Sequence, residues 1–218
     1  MLKKLKNLYY PIQTPRWTQK LFSNFTYRYS DDKQGNIVSK KLYLTFDDGP
    51  QPAVTTWVLQ QLAAYDAKAT FFCIGDNVVK HPATYEAVLA AGHAVGNHTF
   101  NHLNGWRTAT NTYIDNVKTC QQVVDSRLFR PPYGRISGRQ ARLVRELGLE
   151  IVLWEVICGD FDPSLSPQQA LDNVLRYARS GSVVVFHDSV KAFPILKVIL
   201  PQVLSHFAEE GFEFKSCY

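Results

Sequence analysis

Strand-like and helix-like segments alternate along most of this chain, and that alternation predicts an α/β fold with a mostly parallel sheet. A second observation concerns the shape of the sheet, because reactive side chains follow five of the predicted strands. In an open doubly wound sheet, which also fits the alternation, they would lie along a line, whereas in a barrel they converge at one mouth. Since a catalytic site needs convergence, we expect a distorted (β/α) barrel with fewer than eight regular units. The five positions are Asp47 with Asp48, His98, Arg130, Asp160 and His187.

The first half of the predicted barrel, from Lys41 onward, contains three strands and three helices. Glycine and proline mark several boundaries, because Gly75 follows the second strand, Pro82 opens the second helix and Gly92 closes it. The predicted strands are 42–46, 69–74 and 93–95, and the predicted helices are 55–65, 82–92 and 113–124.

Two capping boxes organise the second half. A serine is followed three residues later by a glutamine at Ser137 and Gln140 and again at Ser166 and Gln169, where Pro167 adds a further helix-start signal. Each serine–glutamine pair can satisfy two backbone N–H groups at the start of a helix. The other predicted features are strands at 128–129, 150–156, 182–186 and 212–214, helix ends at Gly148 and Gly181, and a last helix to about 210 that Pro201 breaks or restarts.

The size and composition indicate one domain preceded by an arm. The chain has 218 residues, of which 45% are hydrophobic and 20% charged, enough for a single core. Residues 1–40 lack periodicity and are broken by Pro11 and Pro15, so we expect an arm that packs on a catalytic domain at 41–218. The aromatic groups available to dock this arm are Trp17, Phe22, Phe25, Tyr27 and Tyr29.

The charge and cysteine content bear on nucleic-acid binding and on disulfide formation. The net charge of +5 and the pI near 9.0 come from dispersed residues, and no zinc finger, RNA-binding signature or basic stripe accompanies them, so we expect no nucleic-acid partner. The even number of cysteines permits disulfides without implying them in a chain of this size. No feature indicates the oligomeric state.

The chain carries no sequence pattern for membrane insertion. No segment approaches the roughly 20 apolar residues of a transmembrane helix. Asn7, Pro11 and Gln13 interrupt the apolar core that a signal peptide would need, so a cytoplasmic location is expected by default, with export or a cell-surface location still open. A weak membrane-surface contact by the basic, aromatic residues 1–10 also stays open.

Two adjacent acids and two nearby histidines predict a metal site. Asp47 and Asp48 end the first predicted strand, and His98 and His102 are spaced so that one helical turn would place both imidazoles on one face. Two histidines and one carboxylate leave open metal positions, which is typical of catalytic sites, and the second acid is then free to act as a base. Zinc is the default, and the same donors suit Co²⁺, Ni²⁺ or Mn²⁺. The plainer alternative is a solvated acid pair that caps the next helix.

Three ordered motifs together resemble a known family. They are Thr45-Phe46-Asp47-Asp48-Gly49-Pro50, His98-Thr99-Phe100-Asn101-His102 and Arg130-Pro131-Pro132-Tyr133-Gly134. Their order and spacing resemble the polysaccharide deacetylases, also called the NodB-homology domain or carbohydrate esterase family 4, over about 41–214. The resemblance implies a distorted (β/α) barrel of the NodB-homology type. It also implies metal-dependent removal of N-acetyl groups from amino sugars in a polysaccharide or oligosaccharide.

The resemblance also implies a role for each matching position. Asp48, His98 and His102 would hold the metal. Asp47 would be the general base, and Arg130 would pair with it. The backbone N–H of Tyr133 would stabilise the oxyanion. His187 would be the general acid that protonates the leaving amine, and Asp160 would orient it.

The chain departs from the family pattern next to the predicted acid. The family's Asp-x-x-Asp-Trp motif reads Ile157-Cys158-Gly159-Asp160-Phe161 here, so the first acid and the tryptophan are replaced. Phe161 and Val185 would line the pocket for the acetyl methyl. An O-acetyl esterase, or a deformylase or deacetylase of small molecules, would use the same site. A non-catalytic carbohydrate-binding module fits less well, because it has no need of both a base and an acid.

Overall fold

One parallel sheet curls through the molecule. The structure is a computed structural model that describes residues 10–30, 33–34 and 37–218. The strands are β1 (Lys33–Gln34), β2 (Ile37–Val38), β3 (Lys40–Asp47), β4 (Thr70–Cys73), β5 (Ala94–Asn97), β6 (Leu128–Phe129), β7 (Glu150–Ile151), β8 (Val156–Ile157), β9 (Val183–His187) and β10 (Phe212–Phe214). The sheet runs β7-β6-β5-β4-β3-β9-β8, and β10 pairs with the first part of β3. Every described pairing in this sheet is parallel, while β1 and β2 form a separate antiparallel pair.

Eight helices accompany the sheet in the described residues. They are α1 (Arg16–Leu21), α2 (Pro52–Ala63), α3 (Gly75–Lys80), α4 (Pro82–Ala90), α5 (Thr110–Gln121), α6 (Gly138–Glu146), α7 (Pro167–Tyr177) and α8 (Phe193–Glu209). Both predicted capping boxes are present, at Ser137 for α6 and at Ser166 for α7. The expected distorted barrel is confirmed, and its strands and helices alternate as predicted. No described helix has the length and apolar character needed to cross a membrane.

The alternation of side chains along β3 and β9 decides which groups enter the barrel. On β3, Leu44 and Phe46 belong to the large apolar cluster formed with the helices, whereas Tyr43 packs in a second cluster with Phe72 and Val183. Successive strand residues point to opposite faces. Asp47 at the end of β3 therefore points inward, and the same alternation directs the last residue of β9 inward.

The amino-terminal arm pairs with both edges of the curled sheet. Gln13 pairs antiparallel with Val156 in β8, and Thr26 pairs parallel with Val152 just after β7. The Thr26 carbonyl accepts a 2.7 Å hydrogen bond from the N–H of Leu153. Since β7 and β8 do not pair with each other in the described structure, the arm supplies backbone partners at the seam between them.

The aromatic residues of the arm behave in two ways. Tyr27 and Tyr29 are buried, and the Tyr29 ring packs against the Tyr43 ring at a tilt, with ring centroids 4.4 Å apart. Trp17 and Phe22 instead remain exposed, so the expectation that they dock the arm is wrong. The arm is therefore attached through Tyr27 and Tyr29 in its second half, through side chains such as Tyr10 in its first half, and through its backbone.

Three predicted elements differ in the structure. The strand expected at 150–156 is two short strands, β7 and β8, because the carbonyl groups of Val152 and Leu153 accept hydrogen bonds from the side chain of Arg130 and residues 152–156 pair with the arm. Helix α8 runs unbroken through Pro201, because its buried face outweighs one lost backbone hydrogen bond. Gly75, which was predicted only to end the second strand, starts the short helix α3.

The four cysteines all lie in the described part of the chain. Each is buried and carries a free thiol. They contribute to the apolar interior, and no disulfide restrains the fold there.

Candidate active site

The end of β3 separates the two adjacent acids. Asp47 ends the strand with its side chain inside the barrel, and Asp48 adopts a left-handed conformation with φ of 80°. The side-chain amide of Asn77 donates a 2.7 Å hydrogen bond to the Asp48 carbonyl and holds the turn. The chain therefore bends at Asp48 itself, and the two carboxylates reach different places.

Asp48 and the two histidines form a compact cluster. One ligand atom from each of Asp48, His98 and His102 lies within 4.8 Å of the others. The Asp48 carboxylate oxygen Oδ1 is 3.1 Å from His102 Nε2 and 3.7 Å from His98 Nε2. This oxygen is buried and makes no hydrogen bond to any described residue. An oxygen and two nitrogens around an unsatisfied buried atom fit a divalent cation of the transition series.

The histidine pair is not on a helix, so the helical placement inferred from its spacing is wrong. Residues 98–102 form a loop in which Thr99 and His102 have positive φ angles of 61° and 55°. The Asn97 side-chain carbonyl accepts from the Thr99 N–H at 2.9 Å, and the Asn116 side-chain carbonyl accepts from the Phe100 N–H at 2.8 Å. These two hydrogen bonds hold a loop conformation that brings the two imidazole centroids to 5.1 Å.

The surroundings of His98 leave its Nε2 atom free to bind a cation. Its Nδ1 lies 2.7 Å from the backbone carbonyl of Arg130, which can only accept a hydrogen bond, so Nδ1 carries the proton. Burial lowers the pKa of His98 to about 4. Burial raises the pKa of Asp48, but contact with His102 and the nearby histidine charges outweigh it and hold that pKa well below its usual range. A neutral imidazole facing a carboxylate is the protonation state that a metal site requires.

Arg130 fixes Asp47 inside the barrel. One guanidinium nitrogen, Nη1, donates to the Asp47 carboxylate and to the Thr45 hydroxyl, both at 2.7 Å. The other guanidinium nitrogens donate at 3.0 Å to the carbonyl groups of Val152 and Leu153, the latter three residues before the start of β8. The whole side chain is buried and lies 4.0 Å over the Phe72 ring. The buried Asp47 carboxylate therefore has a rigid cationic partner, as a general base would need.

Tyr133 lies beside the histidine cluster. It has a positive φ of 62° within the short turn Pro132–Gly134, and its ring lies 4.7 Å from the His102 ring. Its N–H donates to no acceptor among the described residues. A free N–H beside a candidate metal site is available to an oxyanion.

His187 and Asp160 lie beside the acids, because His187 ends β9 and pairs in register with Asp47 at the end of β3. His187 Nδ1 is 2.8 Å from one Asp160 carboxylate oxygen, and the His187 backbone N–H donates to the other at 2.8 Å. Burial alone would lower the pKa of His187, but the Asp160 charge and hydrogen bond outweigh it and raise that pKa to about 9. The imidazole is thus held protonated at neutral pH, with Nε2 as its free proton donor.

The two predicted pocket residues occupy different positions. The Phe161 ring meets the His187 ring edge to face with centroids 4.9 Å apart. Val185 is fully buried on β9, two residues before His187 and therefore on the same inward face. Ile157, which replaces an acid of the family motif, is buried and pairs with Val185.

Tyr10 is a contributor that the sequence did not reveal. Its ring centroid is 4.9 Å from that of Phe161, and its hydroxyl donates to Asp162 at 3.1 Å. It thereby braces the loop that carries Asp160. No local signal separates Tyr10 from the neighbouring Tyr9, so only the long-range fold identifies it.

Asp188 is a second contributor without an assigned role in the sequence. It is completely buried, accepts a hydrogen bond from the Thr55 hydroxyl, and its N–H donates to the Asp47 carbonyl at 3.1 Å. A Cβ atom at Gly49 would lie 2.0 Å from the Asp188 carboxylate, so only glycine fits there. Burial raises the pKa of Asp188 to about 7. The only hint in the sequence that Asp188 belongs to the site is that it directly follows His187.

The site as a whole combines the groups that hydrolysis needs. A candidate metal cluster, an ion-paired carboxylate and a protonated imidazole meet at the carboxyl ends of parallel strands. A curled parallel barrel with these groups at its mouth is the architecture of a metal-dependent hydrolase.

Comparison with known proteins identifies the family. Residues 34–152 match the polysaccharide deacetylase family. The chain is 34% identical over 181 residues to a peptidoglycan-N-acetylglucosamine deacetylase of Bacillus cereus, which covers 80% of this chain and 85% of that protein. It is 35% identical over 155 residues to the chitooligosaccharide deacetylase of Azorhizobium caulinodans, covering 67% of this chain and 73% of the relative. The chain belongs to the polysaccharide deacetylase family, whose named relatives are hydrolases of N-acetyl groups.

Solved structures agree on the fold. The Bc1960 peptidoglycan N-acetylglucosamine deacetylase superposes with a TM-score of 0.77 at 27% identity, covering 92% of this chain and 93% of that chain. A Bacillus anthracis protein described as a carbohydrate esterase family 4 pseudoenzyme has the same fold, with a TM-score of 0.74 at 21% identity over 87% of this chain and 66% of that one. Because a pseudoenzyme shares the fold, the fold alone does not establish activity, and the residues of the site decide it.

Proposed function

We propose that this chain removes N-acetyl groups from N-acetylglucosamine units of a polysaccharide or oligosaccharide. The observation that carries the proposal is the meeting of the Asp48, His98 and His102 cluster with the buried Asp47–Arg130 pair at one barrel mouth. The names of the Bacillus and Azorhizobium relatives support the substrate class.

Asp48, His98 and His102 would hold the divalent cation, with zinc as the default metal. A cation bound there supplies Lewis acidity to the amide carbonyl and to the attacking water. Asp47 takes the proton from that water, while Arg130 holds the carboxylate in place.

The remaining groups handle the developing charge and the leaving amine. The Tyr133 N–H donates to the oxyanion of the tetrahedral intermediate. His187 donates its Nε2 proton to the nitrogen as the C–N bond breaks, and Asp160 stabilises the imidazolium before transfer. Acetate and a free amino sugar leave the site.

Phe161 and Val185 shape the wall beside the acid and would enclose the acetyl methyl. A phenyl ring fills less space than the indole of the family motif, so this wall is where acyl preference would change. The O-acetyl esterase alternative uses the same water and the same base, and it differs in the need for an acid.

The substitution His187→Ala distinguishes an amide-hydrolysing enzyme from an esterase. Amide hydrolysis should fall on the order of 10²-fold or more, whereas hydrolysis of an activated aryl acetate should fall much less, because its leaving group departs without protonation. Steady-state rates on N-acetylglucosamine oligomers and on the aryl ester measure both. Equal losses on the two substrates would contradict the acid role.

Acetate release from N-acetylglucosamine oligomers tests the function directly. We expect release in the presence of zinc, loss after chelation and recovery on adding the metal back. Binding of one equivalent of metal without release from any oligomer would overturn the proposed substrate and leave the site assignment standing.

A further inference from the structure

Helix α1 presents an apolar ridge to solvent. None of its residues is buried, and Trp17 and Leu21 are 68% and 67% exposed. They are four residues apart, so they share one face of the helix. Phe22, 45% exposed, continues the ridge at the helix end and stacks on Phe25. We call Trp17, Leu21 and Phe22 the apolar ridge.

Two basic clefts lie beside the apolar ridge. Their volumes are about 490 and 510 Å³, and both are lined by Arg16 and Arg179. Lys20 and Arg28 line one cleft, and Arg176 lines the other. Among the described residues no acidic side chain lines either cleft.

One buried carboxylate organises part of this positive surface. Glu155 is fully buried and pairs with Arg179 and Arg28, the latter at 3.6 Å. The single carboxylate of Glu155 faces two guanidinium groups, so the three side chains together keep a net positive charge. Within the described part of the chain, Arg16 and Lys20 form no ion pair at all.

An apolar ridge next to unpaired cations matches the interface of an anionic membrane. Tryptophan and leucine gain free energy by entering the boundary between headgroups and acyl chains, while arginine and lysine meet the lipid phosphates. A soluble anion would use the cations but would leave the ridge in water. We propose that the apolar ridge and the basic clefts form a docking surface for anionic lipid bilayers.

The position of this surface suits an enzyme with an open site. Glu155 directly precedes β8, and Arg179 lies shortly before β9, so the clefts are at the amino ends of these strands. Asp160 and His187 lie at the carboxyl ends of the same strands. Docking at the amino ends therefore leaves the barrel mouth directed away from the membrane. The proposal does not depend on the deacetylase activity.

Vesicle co-sedimentation of the full chain tests the proposal. Phosphatidylcholine vesicles are compared with vesicles of equal parts phosphatidylcholine and phosphatidylglycerol. We expect the chain to bind the anionic vesicles at least tenfold more tightly, with the difference shrinking as salt rises. Trp17→Ala with Leu21→Ala should weaken this binding about tenfold or more, since two interfacial side chains are removed. Arg16→Glu with Lys20→Glu should weaken it by a similar factor.

Trp106→Ala is the matched control. Trp106 is 67% exposed, like Trp17, but it belongs to the turn Gly105–Arg107 and lies over Arg135. Its loss should leave vesicle binding unchanged. Because the substituted ridge residues are exposed, circular dichroism and the melting temperature should match the original chain.

Three results would overturn the proposal. One is equal binding of the original chain to both vesicle types. Another is full binding by the ridge variant, which would place the contact elsewhere in the chain. The third is an equal loss from Trp106→Ala, which would show that any exposed tryptophan suffices.

Discussion

The two halves of the active site are built in different ways. The metal and base half, with Asp47, Asp48 and Arg130, lies within residues 34–152 and is fixed by hydrogen bonds to the barrel backbone. The half proposed to supply the acid, with Asp160 and His187, lies beyond that segment. Asp160 is on a loop that Tyr10 of the arm braces, and His187 ends β9. The rigid half can position the groups that activate water, a step needed whatever the substrate. The other half includes the wall that contacts the acyl group, where a different side chain could alter substrate preference.

Substitutions in the rigid half should have the largest effects on turnover. Asp47→Asn should keep the metal and lose activity by a factor on the order of 10³, because the base is removed and the ligand cluster is intact. His98→Ala should lose both the metal and the activity. Acetate release and metal content after dialysis measure the two outcomes. A near-normal rate for Asp47→Asn would show that another group takes the proton.

Arg130→Met tests how much the buried Asp47–Arg130 ion pair contributes to the stability of the fold. The change leaves a buried carboxylate without its cation, and we expect the free energy of unfolding to fall by about 3–5 kcal/mol. Urea denaturation followed by circular dichroism measures it. Arg142→Met is the control, because Arg142 forms an exposed pair with Glu146 whose loss should change stability by less than about 1 kcal/mol. Equal losses in both variants would contradict a special role for the buried pair.

In the half that contains Asp160 and His187, the pKa of His187 should depend on the Asp160 carboxylate. The folded pKa of about 9 lies above the ordinary value of 6.5, so the His187–Asp160 pair contributes stability that is full below pH 6.5 and lost as pH rises through 9. In Asp160→Asn, burial is no longer offset by the carboxylate, and the His187 pKa should fall to its ordinary value or lower. Histidine NMR titration of the metal-free chain follows this shift. An unchanged pKa would mean that other groups hold the imidazolium.

Substitution of Tyr10 should give the smallest effect and sharpen the contrast between the halves. Tyr10→Ala removes the ring against Phe161 and the hydrogen bond to Asp162, and we expect kcat for amide hydrolysis to fall a few-fold with metal affinity unchanged. Tyr10→Phe keeps the ring and should recover most of the rate. A loss of metal binding in either variant would show that the halves are coupled.

The sequence was sufficient where local chemistry decides the structure. Serine–glutamine pairs predicted the starts of α6 and α7, and the strand-end positions predicted which acids and histidines would meet. It was insufficient where distant groups decide. The spacing of His98 and His102 suits a helix equally well, and the hydrogen bond from the Phe100 N–H to Asn116, 16 residues away, favours the loop.

Other features depended on the same kind of distant contact. The break between β7 and β8 follows from the Arg130 side chain and the arm, neither of which is near in sequence. Tyr10 joins the site from 152 residues away in the sequence, as measured to its partner Asp162. Short sequence patterns do not predict contacts between residues so far apart in the chain.

The pairing of the arm with the barrel seam bears on the solubility of the chain. Exposed strand edges offer unsatisfied N–H and carbonyl groups to the edges of other molecules, and they promote aggregation. In this protein the backbone of residues 12–14 and of Thr26 occupies those groups along β8 and next to β7. Residues that precede the matched family segment thus cover these strand edges. A chain shortened to begin at residue 41 would keep every candidate catalytic residue but would expose two unpaired strand edges to other molecules.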